Sequence, residues 1–261
     1  MLLKLLRNSA VDLFGLVAKV GLHRISPFDR LFLVSYAFYK EHIEGGPVDR
    51  LKDYVPQGSL VIDVGANVGF FCQRFAQWVG DDGMVIALEP EEHNFNTLVR
   101  ALKKEGLSHR VQTLKAVAAA EPGTAFLEIN PLHPADHKLA LNDTGLSVDA
   151  LTLDELVGKD NSPRPSLIKI DVQGAEMLVL MGAANTLRNH GPVLFVELHE
   201  EGLNRFGSSV TAILNHLSNQ GYSAYWLERS GPPKRASDAE IHARTAGNSY
   251  VDVLFLRTIG P

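Results

Sequence analysis

Four clusters in this sequence carry groups able to do chemistry, and each falls where an apolar run gives way to polar residues. The first is Asp63-Val64-Gly65-Ala66-Asn67-Val68-Gly69, directly after Leu60-Val61-Ile62. Glycines let a ligand approach the backbone, and a helix beginning here offers free N–H donors. A dinucleotide fingerprint reads G-x-G-x-x-G, whereas this loop reads G-x-x-x-G and is preceded by the carboxylate of Asp63. An acid there would repel a pyrophosphate. It suits a ligand carrying an ammonium group, such as the amino-acid end of S-adenosylmethionine. The second cluster is Glu89-Pro90, closing the run Met84–Leu88. A carboxylate at that point accepts both hydroxyls of a ribose, and Pro90 turns the chain. The plainer role for Glu89 is an acid at the start of the following helix. The small residues at Ala116-Val117-Ala118 would leave room for a flat adenine ring.

The third cluster is Ile168-Lys169-Ile170-Asp171-Val172-Gln173-Gly174-Ala175-Glu176. It puts Asp171 at the carboxyl end of a strand, where ligands bind in open α/β sheets. Glu176 falls in the first helical turn, either as a dipole-matched surface acid or pointing into the crevice beside Asp171. Gln173 is neutral and suits orientation more than proton transfer. The fourth is Val196-Glu197-Leu198-His199, whose period-2 alternation puts Glu197 and His199 on one side. His199 is the best general base for a substrate hydroxyl, since a free imidazole has a pKa near ~6.5. Asp171, Glu197 and His199 are alternatively the ligands of a divalent metal that acidifies the substrate. Taken singly, each acid is equally well explained by a salt bridge or a cap. Their convergence at successive strand ends favours chemistry.

Other polar groups carry less. His133, Asp136 and His137 lie in a long polar insertion (131–147) of the kind that lines substrate sites, and read as solvated loop residues rather than a metal site. Asn130-Pro131-Leu132-His133 superficially resembles the Asn-Pro-Pro-aromatic motif of methyltransferases acting on amino groups of bases. Asp171 occupies the strand end which that motif would need. Asp154, in Thr152-Leu153-Asp154, is placed to cap a short helix.

The elements that must position these groups alternate. Strands are expected at 60–62, 84–88, 111–117, 167–170 and 193–196, with helices at 69–79, 91–105, 175–187 and 209–220. Such alternation predicts a doubly wound, mostly parallel α/β sheet. Two late strands, Tyr222–Leu227 and Tyr250–Leu256, flank a turn-rich connection (229–249) around Ser230-Gly-Pro-Pro-Lys-Arg. Before Gly58 the texture is different. Met1–Leu22 has the spacing of an amphipathic helix, and Phe28–His42 is a helical stretch rich in aromatics. Residues 1–58 are therefore expected to form a helical cover, and 59–261 the sheet domain. The first helix is read as packing on the domain in preference to weak peripheral membrane contact, because its basic residues are few. The second offers a core or homo-oligomer surface.

Composition bounds the rest. The 261 residues are 45% hydrophobic and 21% charged, enough for one sizeable core and unlike a disordered chain. A net charge of −5 argues against a nucleic-acid partner held by a basic face. The single cysteine, Cys72, excludes an internal disulfide or thiolate zinc cluster, and fits a reducing, cytoplasmic setting. No stretch is long enough to span a bilayer.

Together these blocks resemble the FkbM family of S-adenosylmethionine-dependent methyltransferases. Asp63 to Gly69, Glu89-Pro90, Ala150-Leu-Thr-Leu-Asp154, Ile168 to Glu176 and Val196 to His199 occur in the family's order. The first motif is shared by many methyltransferases, while the Ile-Lys-Ile-Asp-Val-x-Gly-x-Glu block after Thr-Leu-Asp is more specific. Family members often have Glu where this chain has Gln173. The resemblance implies a Rossmann-like, seven-stranded sheet with the last strand antiparallel. It also implies methyl transfer to oxygen, commonly a hydroxyl of a sugar, glycan or natural product. On that reading Asp63, Gly65, Ala66, Asn67, Gly69, Glu89, Pro90, Ala116 and Val117 hold S-adenosylmethionine, and His199, Asp171, Glu197 and Glu176 serve catalysis. Two rivals are a non-catalytic nucleotide-binding or scaffold protein and a nicotinamide oxidoreductase. Asp63 and the missing middle glycine weigh against the latter.

Overall fold

In the computed structural model of the chain, residues 48–130, 137–158, 164–247 and 249–257 are described. The two helices expected within 1–42 lie outside the described residues. Among the described residues the strands are β1 Leu60–Val64, β2 Met84–Leu88, β3 Val111–Leu114, β4 Ala116–Ala118, β5 Gly123–Glu128, β6 Lys138–Leu139, β7 Leu146–Leu151, β8 Pro165–Ile170, β9 Val193–His199, β10 Tyr222–Trp226, β11 Lys234–Arg235 and β12 Tyr250–Arg257. The helices are α1 Phe70–Trp78, α2 Glu92–Lys104, α3 Leu153–Val157, α4 Glu176–Met181, α5 Ala184–His190, α6 Glu200–Arg205, α7 Val210–Asn219 and α8 Asp238–Thr245.

The main sheet has the order β11-β10-β12-β9-β8-β1-β2-β3. β3, β2, β1, β8 and β9 are mutually parallel, and β12 runs antiparallel to both β9 and β10. The sheet is thus mixed, with the antiparallel late strand that the resemblance implied. The two-residue edge strand β11 makes it eight-stranded rather than seven. Every residue of β1 is buried, as a central parallel strand covered on both faces requires. On one face Ile62, Val64, Ile168, Ile170 and Val196 meet Val179, Leu187 and Ile213 of the helices. On the other, Val61, Ala87, Leu167 and Phe195 meet Phe75, Ala76, Leu98 and Leu102. Val48, Leu51 and Val55 join this second core, so the end of the expected cover segment packs as part of the sheet domain.

Three local expectations are corrected. The strand expected over 111–117 breaks at Lys115: β3 stays in the main sheet, and β4 leaves it for a second sheet ordered β4-β7-β5-β6. Within the described part of the polar insertion, Lys138–Leu139 form β6 and Leu146 opens β7. The helix expected over 175–187 is two, because Gly182 abuts the strand side: a Cβ there would stand 2.0 Å from the Ala119 carbonyl oxygen. Asp154 does cap a helix, but a different one. Thr152 and Glu155 form the capping box of α3. The Asp154 carboxylate accepts from the Asn185 and Thr186 amides of α5, at 2.9 and 2.7 Å. The 229–249 connection contains β11 and α8, the latter opened by a Ser237–Glu240 capping box. Among the described residues no helix is long and apolar enough to cross a membrane.

Candidate functional site

The order of strands reverses between β1 and β8, so a crevice is expected outside their carboxyl ends. The sequence clusters meet there. After β1 the chain turns sharply, with the Gly65 and Ala66 amides both donating to the Leu88 carbonyl at 3.0 and 2.9 Å. Asn67 has φ 50°, unusual for a residue with a side chain. Its amide donates to Glu89 Oε2 at 2.8 Å, and its own Oδ1 accepts from the Val68 amide. Glu89 Oε1 accepts from the Glu91 amide at 3.0 Å. Glu89 thus clamps the end of β2 to the loop after β1. Burial pushes its carboxyl up to about 7, against the pull of those two amides. The cap of α2 belongs to Glu91, which accepts from the Asn94 amide at 2.7 Å, and not to Glu89. Pro90 follows directly. Ala116 and Val117 are buried in β4, beside the end of β2 but in the second sheet.

Asp63 is placed differently from expectation. It is 0% exposed, and the ammonium it meets belongs to the protein: Lys169 Nζ lies 3.5 Å from its Oδ1. The two residues are register partners on β1 and β8. Asp63 therefore supports the loop from beneath and does not line the crevice. Burial raises its pKa, and Lys169 opposes the rise. Sequence reasoning passed over Lys169. The available signal was a lysine inside an otherwise apolar run two residues before Asp171, which is stable there only with a buried partner.

Lys169, Asp171, Glu197 and His199 follow strand alternation on one face of the sheet, and Gln173 joins them from the loop. Gln173 Nε2 donates to Asp171 Oδ1 and to Glu197 Oε2, each at 3.1 Å. Its backbone is also left-handed, at φ 57°. Gly174 packs on Gly202 of α6 so closely that a Cβ would stand 2.3 Å from the Gly202 carbonyl oxygen. Glu176 is buried and turned back on its own loop, where Oε1 accepts from the Val172 and Gly174 amides at 3.3 and 3.0 Å. It is neither a surface acid nor a partner of Asp171 by hydrogen bond. Burial raises its pKa to about 7. His199 ends β9 half-buried, and its Nδ1 lies 3.1 Å from where a Gly202 Cβ would be. On the neighbouring strand Asp252 and Tyr250 stand opposite Glu197 and His199. Among the described residues no group of three or more His, Cys, Asp or Glu is arranged to hold a metal ion, so the Asp171, Glu197 and His199 set is not assembled as one.

His137 is not a solvated loop residue. Its side chain is 10% exposed, its Nδ1 accepts from the Asn130 amide at 3.1 Å, and its Nε2 is 4.0 Å from Glu91 Oε2. His133 and Asp136 lie outside the described residues.

The Methyltransferase FkbM domain family matches residues 63–224, more than half of the chain. Hexuronic acid methyltransferase AglP of Haloferax volcanii is 27% identical over 150 residues, covering 57% of this chain and 59% of that protein. Methyltransferase 1 of Beauveria bassiana is 26% identical, covering 52% of this chain and 63% of that protein. The chain thus spans about six tenths of the length of these curated relatives. The crystal structure of methyltransferase FkbM from Methylobacillus flagellatus KT superposes with a TM-score of 0.49 at 16% identity, covering 92% of this chain and 58% of that one. The match over residues 63–224 takes in every motif built up above, and the chain belongs to the FkbM family of S-adenosylmethionine-dependent methyltransferases.

Proposed function

We propose that this protein methylates a hydroxyl oxygen of a sugar, glycan or natural-product acceptor. The observation that carries this reading is the Gln173 bridge, which fixes two carboxylates at the strand ends next to the Gly65–Gly69 loop. The donor set there fits the cofactor. Each Glu89 oxygen has spent one lone pair on a backbone amide and keeps another for a ribose hydroxyl. Gly65, Ala66, Asn67 and Gly69 shape the turn that receives the amino-acid end, and Asp63 backs them from the core. Pro90, Ala116 and Val117 flank the base. When bound, S-adenosylmethionine supplies an electrophilic methyl group on a sulfonium.

The chain's own residues then orient the acceptor and take its proton. His199 receives the hydroxyl proton, and Glu197, one oxygen of which is held by Gln173, stabilises the imidazolium that results. Asp171 orients the acceptor, held in place by Lys169 and Gln173. Glu176 acts at one remove, by fixing the Val172–Gly174 loop. Most of the rate enhancement in such a site comes from near-attack positioning. The name of the AglP relative supports a sugar-type acceptor. Incubating the protein with S-adenosylmethionine and a panel of sugars, uronates and hydroxylated metabolites, with mass-spectrometric detection, tests the proposal. An O-methylated product lost in His199→Ala and Glu197→Gln is expected. Methylation at nitrogen or carbon alone would overturn it.

A further inference from the structure

Among the described residues Lys169 is the only buried cation, and the buried carboxylates Asp63 and Glu89 both feel its charge. An ammonium has three N–H donors and no acceptor. Nζ donates to the Gly65 carbonyl at 2.8 Å and to the Val64 carbonyl at 3.5 Å, and pairs by charge with Asp63 Oδ1 and Asp171 Oδ2, each 3.5 Å away. The Phe71 ring covers it at 5.2 Å. The groups facing this point are Asp63 from β1, Phe71 and Cys72 from α1, Glu89 at the end of β2, and Asp171 just after β8.

We propose that Lys169 is a positioning residue of the methyl-transfer site: its ammonium ties the Gly65 carbonyl to the Asp171 carboxylate and so holds Gln173 in its bridge to Glu197. This rests on the site reading given above. Lys169 engages Asp171 Oδ2, which leaves Oδ1 aimed at the Gln173 amide. Gln173 has a left-handed backbone that a side-chain-bearing residue adopts at a cost, so its pose depends on what its amide finds. The competing account is that Lys169 only neutralises Asp63.

The side-chain amide of Gln173 separates the two accounts. It is read by NMR in 15N-labelled, cofactor-free protein and assigned by its absence in Gln173→Met. In the wild type it is expected as a resolved pair, slow to exchange with solvent. Lys169→Met strands the buried Asp63 charge and is expected to unfold readily. The double variant Asp63→Asn/Lys169→Met removes both charges and keeps the apolar stem under Phe71. In that folded double variant the Gln173 pair is expected to move to the position of a free glutamine amide and to lose its protection. Lys169→Arg, which keeps charge and donors, should retain the signal. A Gln173 pair unchanged in the double variant overturns the proposal, as does a wild-type pair already at the free position. Calorimetric titration of S-adenosylmethionine into the wild type tests the site reading separately. No binding there overturns that reading, while the amide signal still decides the role of Lys169.

Discussion

Gly65 and Asp171 meet backbone to backbone: a Cβ on Gly65 would stand 2.0 Å from the Asp171 carbonyl oxygen. The loop expected to hold the cofactor and the loop expected to face the acceptor are thus in direct contact, and the glycine answers first to a neighbouring strand end. Its φ of 77° adds a second reason for the residue. Gly65→Ala should destabilise the fold by about 1–3 kcal/mol from the backbone angle, with a further cost from the clash. Urea unfolding measures this. A midpoint equal to the wild type would mean that the two loops separate freely.

Gln173→Leu keeps the size of the side chain and removes its donor. Asp171 and Glu197 then face each other without the amide between them. Two charge-assisted hydrogen bonds that position the site are lost, and a loss of about 1.4–2.7 kcal/mol of transition-state stabilisation lowers kcat roughly 10- to 100-fold. Cofactor affinity should change little. Steady-state kinetics beside calorimetry separates the two effects, and a variant with weakened affinity but wild-type kcat would place Gln173 on the cofactor side.

Cofactor affinity should depend on pH through Glu89. Its carboxyl is pushed up to about 7 by burial, and ribose hydroxyls favour the ionised form. Below that pH a proton must leave on binding, so the dissociation constant should rise about tenfold per unit of acidification. Above it the affinity should level off. Glu89→Gln should bind more weakly and show a flatter profile. Calorimetry in buffers of different ionisation enthalpy counts the released proton directly, and no proton release at pH 6 would refute the ribose role.

Glu176 should make the fold less stable as pH rises. Folded, it keeps its proton to about 7, against 4.5 as its ordinary value. Between those values the folded state binds more protons than the unfolded one, so stability falls with pH across the window. The contribution is fully present below 4.5 and gone above about 7. Urea midpoints of the wild type and Glu176→Gln at pH 5 and 7.5 check this. The wild type should lose more between the two pH values than the variant does.

The sheet and the loop positions were legible because apolar strands and the residues closing them are adjacent in sequence. Leu60-Val61-Ile62 before Asp63 and Ile168 to Ile170 before Asp171 needed no knowledge of distant contacts. What escaped was decided by distant neighbours. Gly182 breaks a helix because the Ala119 carbonyl lies against it, and Asp154 caps a helix thirty residues on because the chain folds back there. The pairing of Asp63 with Lys169 depends on the register of β1 against β8, which alternation within either strand does not contain. The break at Lys115 was hidden because apolar residues lie on both sides of it.

That break ties the two sheets together. Within β4, Ala118 is packed into the core of the main sheet, while Val117 is packed into the smaller core with Leu127, Val148 and Ala150. One three-residue strand is therefore shared masonry. Peeling the small sheet away exposes the large one, and loosening the large one leaves the small sheet without a wall. The two should lose their slow-exchanging amides together, as one cooperative unit, despite having separate interiors.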